Sequence, residues 1–413
     1  MKQTKQLFYT AAEAAELLGI TNATLYSYVS RGFIRSENGP GKSRRYNAAD
    51  IDALLTKKDF RKHPEQIAAT SLNWGAPTLE TKLTYIDGKN LYYKGRRVTE
   101  LAETYAFEEV ASFLWTDSFS AIKISEYTGA ILQKSAEFMD IFHTFGAIDI
   151  INRIQSLLPI IGSFDPLAYE TSPNVIMRIG AEIISLETAL ITGSFTSTGT
   201  IAERLGAAWS QNPTDEIHHL LNTALIFMAD HELNISAFTA RCAASAGTTP
   251  YQSVTAALAA FQGTKHGAAV ERVAAFFAAS ANAPSAADAV AAALRRGENI
   301  PGFGHQLYPE GDPRAAYIFR QLEQTHGANL ALKRIRAVCE YLETTLGIRP
   351  NIDLALYALT QAINTPPDAP KLLFVLGRTA GWIAHILEQT ATGALIRPRA
   401  KYTGVMPADD QAL

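Results

Sequence analysis

GFGHQLYPEGDPR, residues 302–314, guides the fold class by what it lacks. A glycine pair ahead of a helix invites a dinucleotide-binding reading, but that loop needs a third glycine and a preceding strand. Neither is here. Upstream, residues 252–294 are crowded with alanine, whose small side chains let helices approach closely. Further out, LAETYAFEEVASFLW (101–115), NRIQSLLPIIG (152–162), VIMRIGAEIISLETALI (175–191) and IHHLLNTALIFMAD (217–230) carry apolar residues at helical spacing. One exception, KLTYIDGKNLYY (82–93), has strand-like residues around Asp87-Gly88, a hairpin signal. Strands do not alternate with helices and no repeat is visible. The sequence predicts a mainly α protein.

The 413 residues exceed one ordinary domain and can bury a large core without staples. Apolar residues make up 47% and charged residues 19%, a normal globular balance. With 37 Lys plus Arg against 40 Asp plus Glu, the net charge of -3 excludes a polybasic coat over the whole chain. Cys242 and Cys339 offer neither a zinc cluster nor a disulfide framework, and fit a reducing cytoplasm. The N-terminus lacks the apolar core of a leader, and the longest uncharged stretch, 242–264, is interrupted by polar residues. A cytoplasmic protein without a membrane partner is expected.

Charge gathers at the front, where residues 1–65 hold eleven Lys/Arg and seven acids, an excess of four. Thr10 and Glu13 can form a capping box for a helix with Ala14, Leu17 and Leu18 inward. Gly19 stops that helix, and Thr21 caps a second one carrying Leu25, Tyr28 and Val29. A hairpin, SENGPGKSRRYN (36–47), and a third helix from Ala48 through Leu55 follow. GPGKSRR is not a phosphate loop, because Ser36 stands where its first glycine should be. This order resembles the winged helix-turn-helix modules of excisionases and MerR regulators. The resemblance implies a major-groove helix over Thr21–Ser30, including Thr24 and Tyr26, with Arg31, Lys42, Arg44 and Arg45 available to DNA phosphates. Such modules also serve as assembly appendages. The expected organisation is a helix-turn-helix module at 1–56, a charged linker at 57–70 and a large domain at 71–413.

Chemistry-bearing residues sit in separate runs of the large domain. ADHELNISAFTAR (229–241) contains His231-Glu232 but has Ile235 where a zinc-protease motif needs a second histidine. GTKHGAA places His266 beside a glycine, and RPNIDLAL places Asp353 after a Pro-Asn break. His305 and Arg314 flank the Tyr-Pro-Glu-Gly turn of the opening stretch, and Arg378 and Arg397 follow in GRTAGWIAHILEQ and LIRPRAKYTG. Taken singly, a histidine is more often satisfied core or surface, and an aspartate after Pro-Asn is more often a helix cap. His385, the His218/His219 pair, His63, His143 and His326 are assigned to packing or surface.

In combination, DHELN-S-F-AR, G--HG, GFGH--Y---DPR, PN-D, GR--GW-AH--EQ and RPR--Y-G resemble the citrate synthase family over about 330 residues. The resemblance implies an almost wholly helical fold, with a small domain near 267–370 closing over the substrates. It implies an acyltransferase of the tricarboxylic acid cycle that turns the acyl group into an alkyl group on transfer. Acetyl-CoA, oxaloacetate and water would give citrate and CoA. By position, Asp353 is the base, His266 holds the enol(ate) oxygen and His305 donates to the oxaloacetate carbonyl. His231, Arg314, Arg378 and Arg397 would bind oxaloacetate, with Arg397 arriving from the other subunit of a homodimer or higher even oligomer. The backbone of Ile300, Pro301, Gly302, Phe303 and Gly304 would meet CoA, and neither metal nor cofactor is implied.

Two departures bear on the acyl-CoA. The family's usual proline before the first catalytic histidine is absent from Gly263-Thr264-Lys265-His266, and its common arginine after the second is Gln306. A 2-methylcitrate synthase using propionyl-CoA is therefore the alternative, since one methylene changes binding by only about 1–3 kcal/mol. A DNA-binding metabolic regulator with a synthase-like sensing domain is a third expectation, from another class.

Overall fold

The computed structural model describes residues 8–30, 33–38, 44–48, 50, 51, 54, 79–120, 138, 148–195, 198–400 and 402–405. The chain divides into two compact units, Met1–Glu80 and Thr81–Leu413.

In the first unit, β1 (Phe8–Tyr9) leads into α1 (Ala11–Leu18), α2 (Asn22–Ser30), β2 (Ser36–Asn38) and β3 (Arg44–Asn47). The capping box is present: the Glu13 N–H donates to Thr10 Oγ1 (3.3 Å), and Glu13 Oε2 accepts from the Thr10 N–H (2.8 Å). Gly19 ends α1 at φ 56°, and Thr21 Oγ1 accepts from the Thr24 N–H at 3.3 Å to open α2. The hairpin gains an extra strand, because β3 pairs antiparallel with β1 as well as β2. Leu18, Leu25, Ile34, Tyr46 and Ile51 make the small core. Helical backbone recurs at Ala48, Asp50, Ile51 and Leu54, inside the expected third helix. The expected linker 57–70, Arg31 and Lys42 lie outside the described residues.

The second unit opens with a three-stranded antiparallel sheet, β4 (Thr84–Ile86), β5 (Leu91–Tyr93) and β6 (Arg96–Arg97). Its first turn spans four residues rather than two, since Ile86 pairs with Leu91. Asp87 organises that turn by accepting the N–H groups of Lys89 (2.8 Å) and Asn90 (2.7 Å). Helices follow: α3 (Val98–Thr104), α4 (Phe107–Thr116), α5 (Ile150–Gly162), α6 (Pro173–Thr192), α7 (Ile201–Trp209), α8 (Asp215–Met228) and α9 (Ile235–Ser245). The rest are α10 (Pro250–Phe261), α11 (Ala269–Ala279), α12 (Ala286–Arg295), α13 (Pro313–His326), α14 (Leu330–Leu346), α15 (Ile352–Ala362) and α16 (Ala369–Thr392). The mainly helical expectation holds.

The centre of this unit is α16, buried on nearly every side from Leu372 to Ile386 except at Phe374. It packs against α4, α6, α8, α9 and α10. Each fully buried Leu, Ile or Phe there contributes about 1.5–3 kcal/mol of transfer free energy. Close packing needs small residues at the crossing with α8. A Cβ on Gly377 would lie 2.6 Å from the Leu225 carbonyl oxygen, closer than any side chain could be accommodated. A separate apolar cluster joins Phe276, Val290, Ala293, Val338 and Leu342 on α11, α12 and α14. Among the described residues no helix is long and apolar enough to cross a membrane.

Candidate active site

Helix ends aim the polar residues named above. Residues 229–234 link α8 to α9, and Asn234 caps α9 by accepting the Ala237 N–H at 3.0 Å. In the turn after α10, the His266 N–H donates to the Gly263 carbonyl (2.9 Å) and the Gly267 N–H to that of Phe261 (2.8 Å). A Cβ on Gly267 would lie 2.4 Å from that Phe261 oxygen, so glycine is what lets the chain turn here. Asp312 and Asn351 cap α13 and α15, accepting the N–H groups of Arg314 and Asp353 at 3.0 Å each.

Three imidazoles face this region. His231 Nε2 lies 2.9 Å from Tyr308 Oη, and its ring sits 5.2 Å from that of His305. His305 Nδ1 accepts the Leu307 N–H at 3.1 Å, so in the neutral ring the proton belongs on Nε2. His266 Nε2 lies 2.9 Å from Ser236 Oγ, which also receives the Trp382 indole N–H at 3.2 Å. The single Ser236 proton has two acceptors, His266 Nε2 and, at 2.8 Å, Asn234 Oδ1. When it goes to the ring, His266 carries its own proton on Nδ1.

Burial, reinforced by cations, keeps these rings neutral. Burial and then Arg378 push His266 down to about 4, while burial and then Arg314 do the same to His305. His231 is held well below the ordinary range by burial, then Arg314, Arg378 and His305. Burial acts oppositely on Asp353, pushing its carboxyl up to about 6, with Arg314 working against the rise and Asp312 adding to it. Among the described residues that carboxylate has no hydrogen-bond partner. It is an unengaged carboxylate under the influence of Arg314, Asp312 and Arg272.

Both arginines are buried. Arg314 gives Nε and Nη2 to Asp312 at 3.0 and 2.8 Å, and Arg378 gives Nε to the Met228 carbonyl at 2.6 Å. Arg378 Nη1 is buried without a partner, and its guanidinium lies over Phe374 at 4.8 Å. An orphaned cationic donor inside a protein costs several kcal/mol unless an anion meets it. The 302–304 loop is tied to the approach to Asp353: the Gly304 N–H donates to the Arg349 carbonyl (2.8 Å) and the Asn351 N–H to that of Gly302 (2.9 Å).

These contacts and electrostatic couplings link His231, His266, His305, Arg314, Arg378 and Asp353. Arg397 is apart from them, exposed in the coil after α16 and without a hydrogen bond or ion pair among the described residues. Thr24, Tyr26, Arg44 and Arg45 belong to the first unit, where Tyr26, Arg44 and Arg45 are exposed. Tyr308, Ser236, Asp312 and Asp230 stand in the motifs quoted above, but the sequence assigned them no role. His385, expected only to pack, is fully buried yet polar in its role, with Nε2 3.2 Å from Asp230 Oδ1.

The family profile described as citrate synthase, C-terminal domain, matches residues 72–399. The chain belongs to the citrate synthase family. A helix-turn-helix domain profile also matches residues 8–59. Among citrate synthase relatives, 2-methylcitrate synthase 1 of Corynebacterium glutamicum is 28% identical over 77% of this chain and 90% of its own. Citrate synthase 2 of Bacillus subtilis is 27% identical over 80% and 94%. The crystal structure of citrate synthase from Thermotoga maritima superposes with a TM-score of 0.66 at 26% identity, covering 81% of this chain and 96% of that one. The expected family and its helical fold are both borne out.

Proposed function

We propose that this chain condenses an acyl-CoA with oxaloacetate and water, releasing CoA. The observation that carries the reading is an unpartnered Asp353, its pKa raised by burial and coupled to buried Arg314, while Arg314 and Arg378 act in turn on the neutral rings of His231, His266 and His305. Asp353 takes a proton from the α-carbon of the thioester. His266 donates to the enol(ate) oxygen, and Ser236 orients its ring. The α-carbon attacks the oxaloacetate carbonyl while His305 Nε2–H donates to the developing alkoxide. His231, Arg314 and Arg378 hold oxaloacetate, whose carboxylate would satisfy the free Arg378 Nη1. Water then cleaves the thioester, giving citrate and CoA from acetyl-CoA.

In this reading the small domain spans roughly 267–370, the 300–304 backbone meets CoA, and Arg397 reaches the neighbouring site of a cytoplasmic homodimer. No metal or cofactor takes part. Likeness to a 2-methylcitrate synthase, at nearly the same identity as to a citrate synthase, favours propionyl-CoA as the second candidate substrate. Thiol release measured side by side with acetyl-CoA and propionyl-CoA decides between them. Oxaloacetate-dependent release with neither overturns the reading.

The first unit we read as a DNA-binding module, supported by exposed Arg44 and Arg45 on β3 and exposed Tyr26 on α2. The full-length protein is expected to shift promoter DNA in a salt-sensitive way, and Arg44→Ala/Arg45→Ala to weaken the shift. No shift at low salt leaves assembly as the module's role.

A further inference from the structure

One face of α16 meets three consecutive residues leading to His231, two through their backbone carbonyls and the third through its carboxylate. Arg378 Nε donates to the Met228 carbonyl at 2.6 Å. One turn on, a Cβ at Gly381 would lie 2.1 Å from the Ala229 carbonyl oxygen, so only glycine admits that strand of backbone. One further turn on, His385 Nε2 donates to Asp230 Oδ1 at 3.2 Å. Positions 378, 381 and 385 stand at i, i+3 and i+7, a single helical stripe.

The sheet holds the same segment from elsewhere in the chain. Thr84 on β4 donates its hydroxyl to Asp230 Oδ2. Tyr93 Oη on β5 accepts the Asp230 N–H at 2.9 Å and lies 2.9 Å from the Asp230 carbonyl oxygen. Asp230 and His385 are both fully buried. A buried polar pair of this kind fixes geometry, since each group left unmatched is penalised. The next residue in the chain is His231.

We propose that His385, acting through Asp230, is a positioning residue for the dicarboxylate site: it fixes residues 228–230 and so sets the ring of His231 against Tyr308 and His305. This rests on the reading that the site binds oxaloacetate. It also gives the β4–β5 sheet a task in the site. Arg378 belongs to the same device, with Nε spent on the segment and Nη1 left for substrate.

The test uses full-length His385→Leu and His385→Gln, glutamine being able to present an N–H near the position of His Nε2. Leucine should raise the oxaloacetate KM about tenfold, the scale of one charge-assisted hydrogen bond, with kcat and the acyl-CoA KM nearly unchanged. Glutamine should restore most of the loss. Ring-labelled histidine NMR reads positioning without turnover: the His231 signal should move in the leucine variant and return toward wild type with glutamine. If wild-type protein releases no thiol, the functional reading fails and the NMR comparison alone decides the positioning. A wild-type oxaloacetate KM in an active His385→Leu protein overturns the proposal, as does an unmoved His231 signal. Failure of glutamine to restore either property overturns it too. Should the leucine variant not fold, Thr84→Val should move the KM and the His231 signal the same way by a smaller factor. No change in either then overturns the proposal.

Discussion

At the scale of single residues, burial sets the protonation state of the candidate site, keeping the histidines neutral and raising the pKa of Asp353. Asp353 would titrate near 3.8 in an open chain and is pushed up to about 6 here, chiefly by burial. Between those values the native protein binds this proton more tightly than the unfolded chain, so the group's contribution to stability falls as pH rises through that window. Asp353→Asn should therefore stabilise the protein at pH 7.5 by up to about 3 kcal/mol, and this gain should vanish below pH 4. Turnover should fall at least about a hundredfold, since an amide cannot accept the proton. Urea unfolding at the two pH values and thiol-release kinetics check both halves. In the wild type, the low-pH limb of kcat/KM should drop about tenfold per unit below pH 6, as the base must be ionised.

Between elements, Asp312 is the joint. Its carboxylate caps α13 through the Arg314 N–H, forks with the Arg314 guanidinium, and accepts the Ile352 N–H at 3.1 Å to hold the start of α15. The arginine proposed to bind oxaloacetate and the helix that carries the proposed base thus share one buried anchor. Asp312→Ala leaves Arg314 without its partner and should cost about 3–5 kcal/mol of unfolding free energy. It should also raise the oxaloacetate requirement more than the acyl-CoA requirement. Chemical denaturation together with the two KM values tests this, and an unchanged unfolding midpoint would show that α13 and α15 are held in some other way.

For the whole molecule, the open question raised by the fold is why Arg397 lies exposed beyond α16. If it completes the site of a neighbouring subunit, Asp353→Asn and Arg397→Ala homodimers each lack an intact site. Co-refolding equal amounts should place both lesions in one site of each heterodimer and leave the other sound. Activity should recover to roughly a quarter of wild type, because about half the dimers are mixed and each has one good site. Heterodimers demonstrated by tag capture but inactive would assign Arg397 to its own subunit, or to no site.

The sequence by itself determined the helical class, the two-unit order, the Thr10–Glu13 cap, the hairpin near Asp87 and the family. Those features are written in local spacing and in motif order, which need no knowledge of what touches what. His231, His266, His305, Arg314 and Asp353 could be singled out as candidates because each stands beside a turn or helix end, whereas Arg378, inside α16, was picked out by motif order alone. The supports were not legible. Asp230, Tyr308 and Ser236 gain their partners only because the fold brings stretches far apart in sequence to His385, His231 and His266. His385 looked like packing because its helix is apolar around it, and nothing in the sequence shows that its face meets a buried carboxylate. Nor could spacing reveal that Asp312 serves two helices, or that Arg378 gives Nε to the backbone and leaves Nη1 buried without a partner. Tertiary structure decided those roles, since burial and a partner's position set what a polar group does.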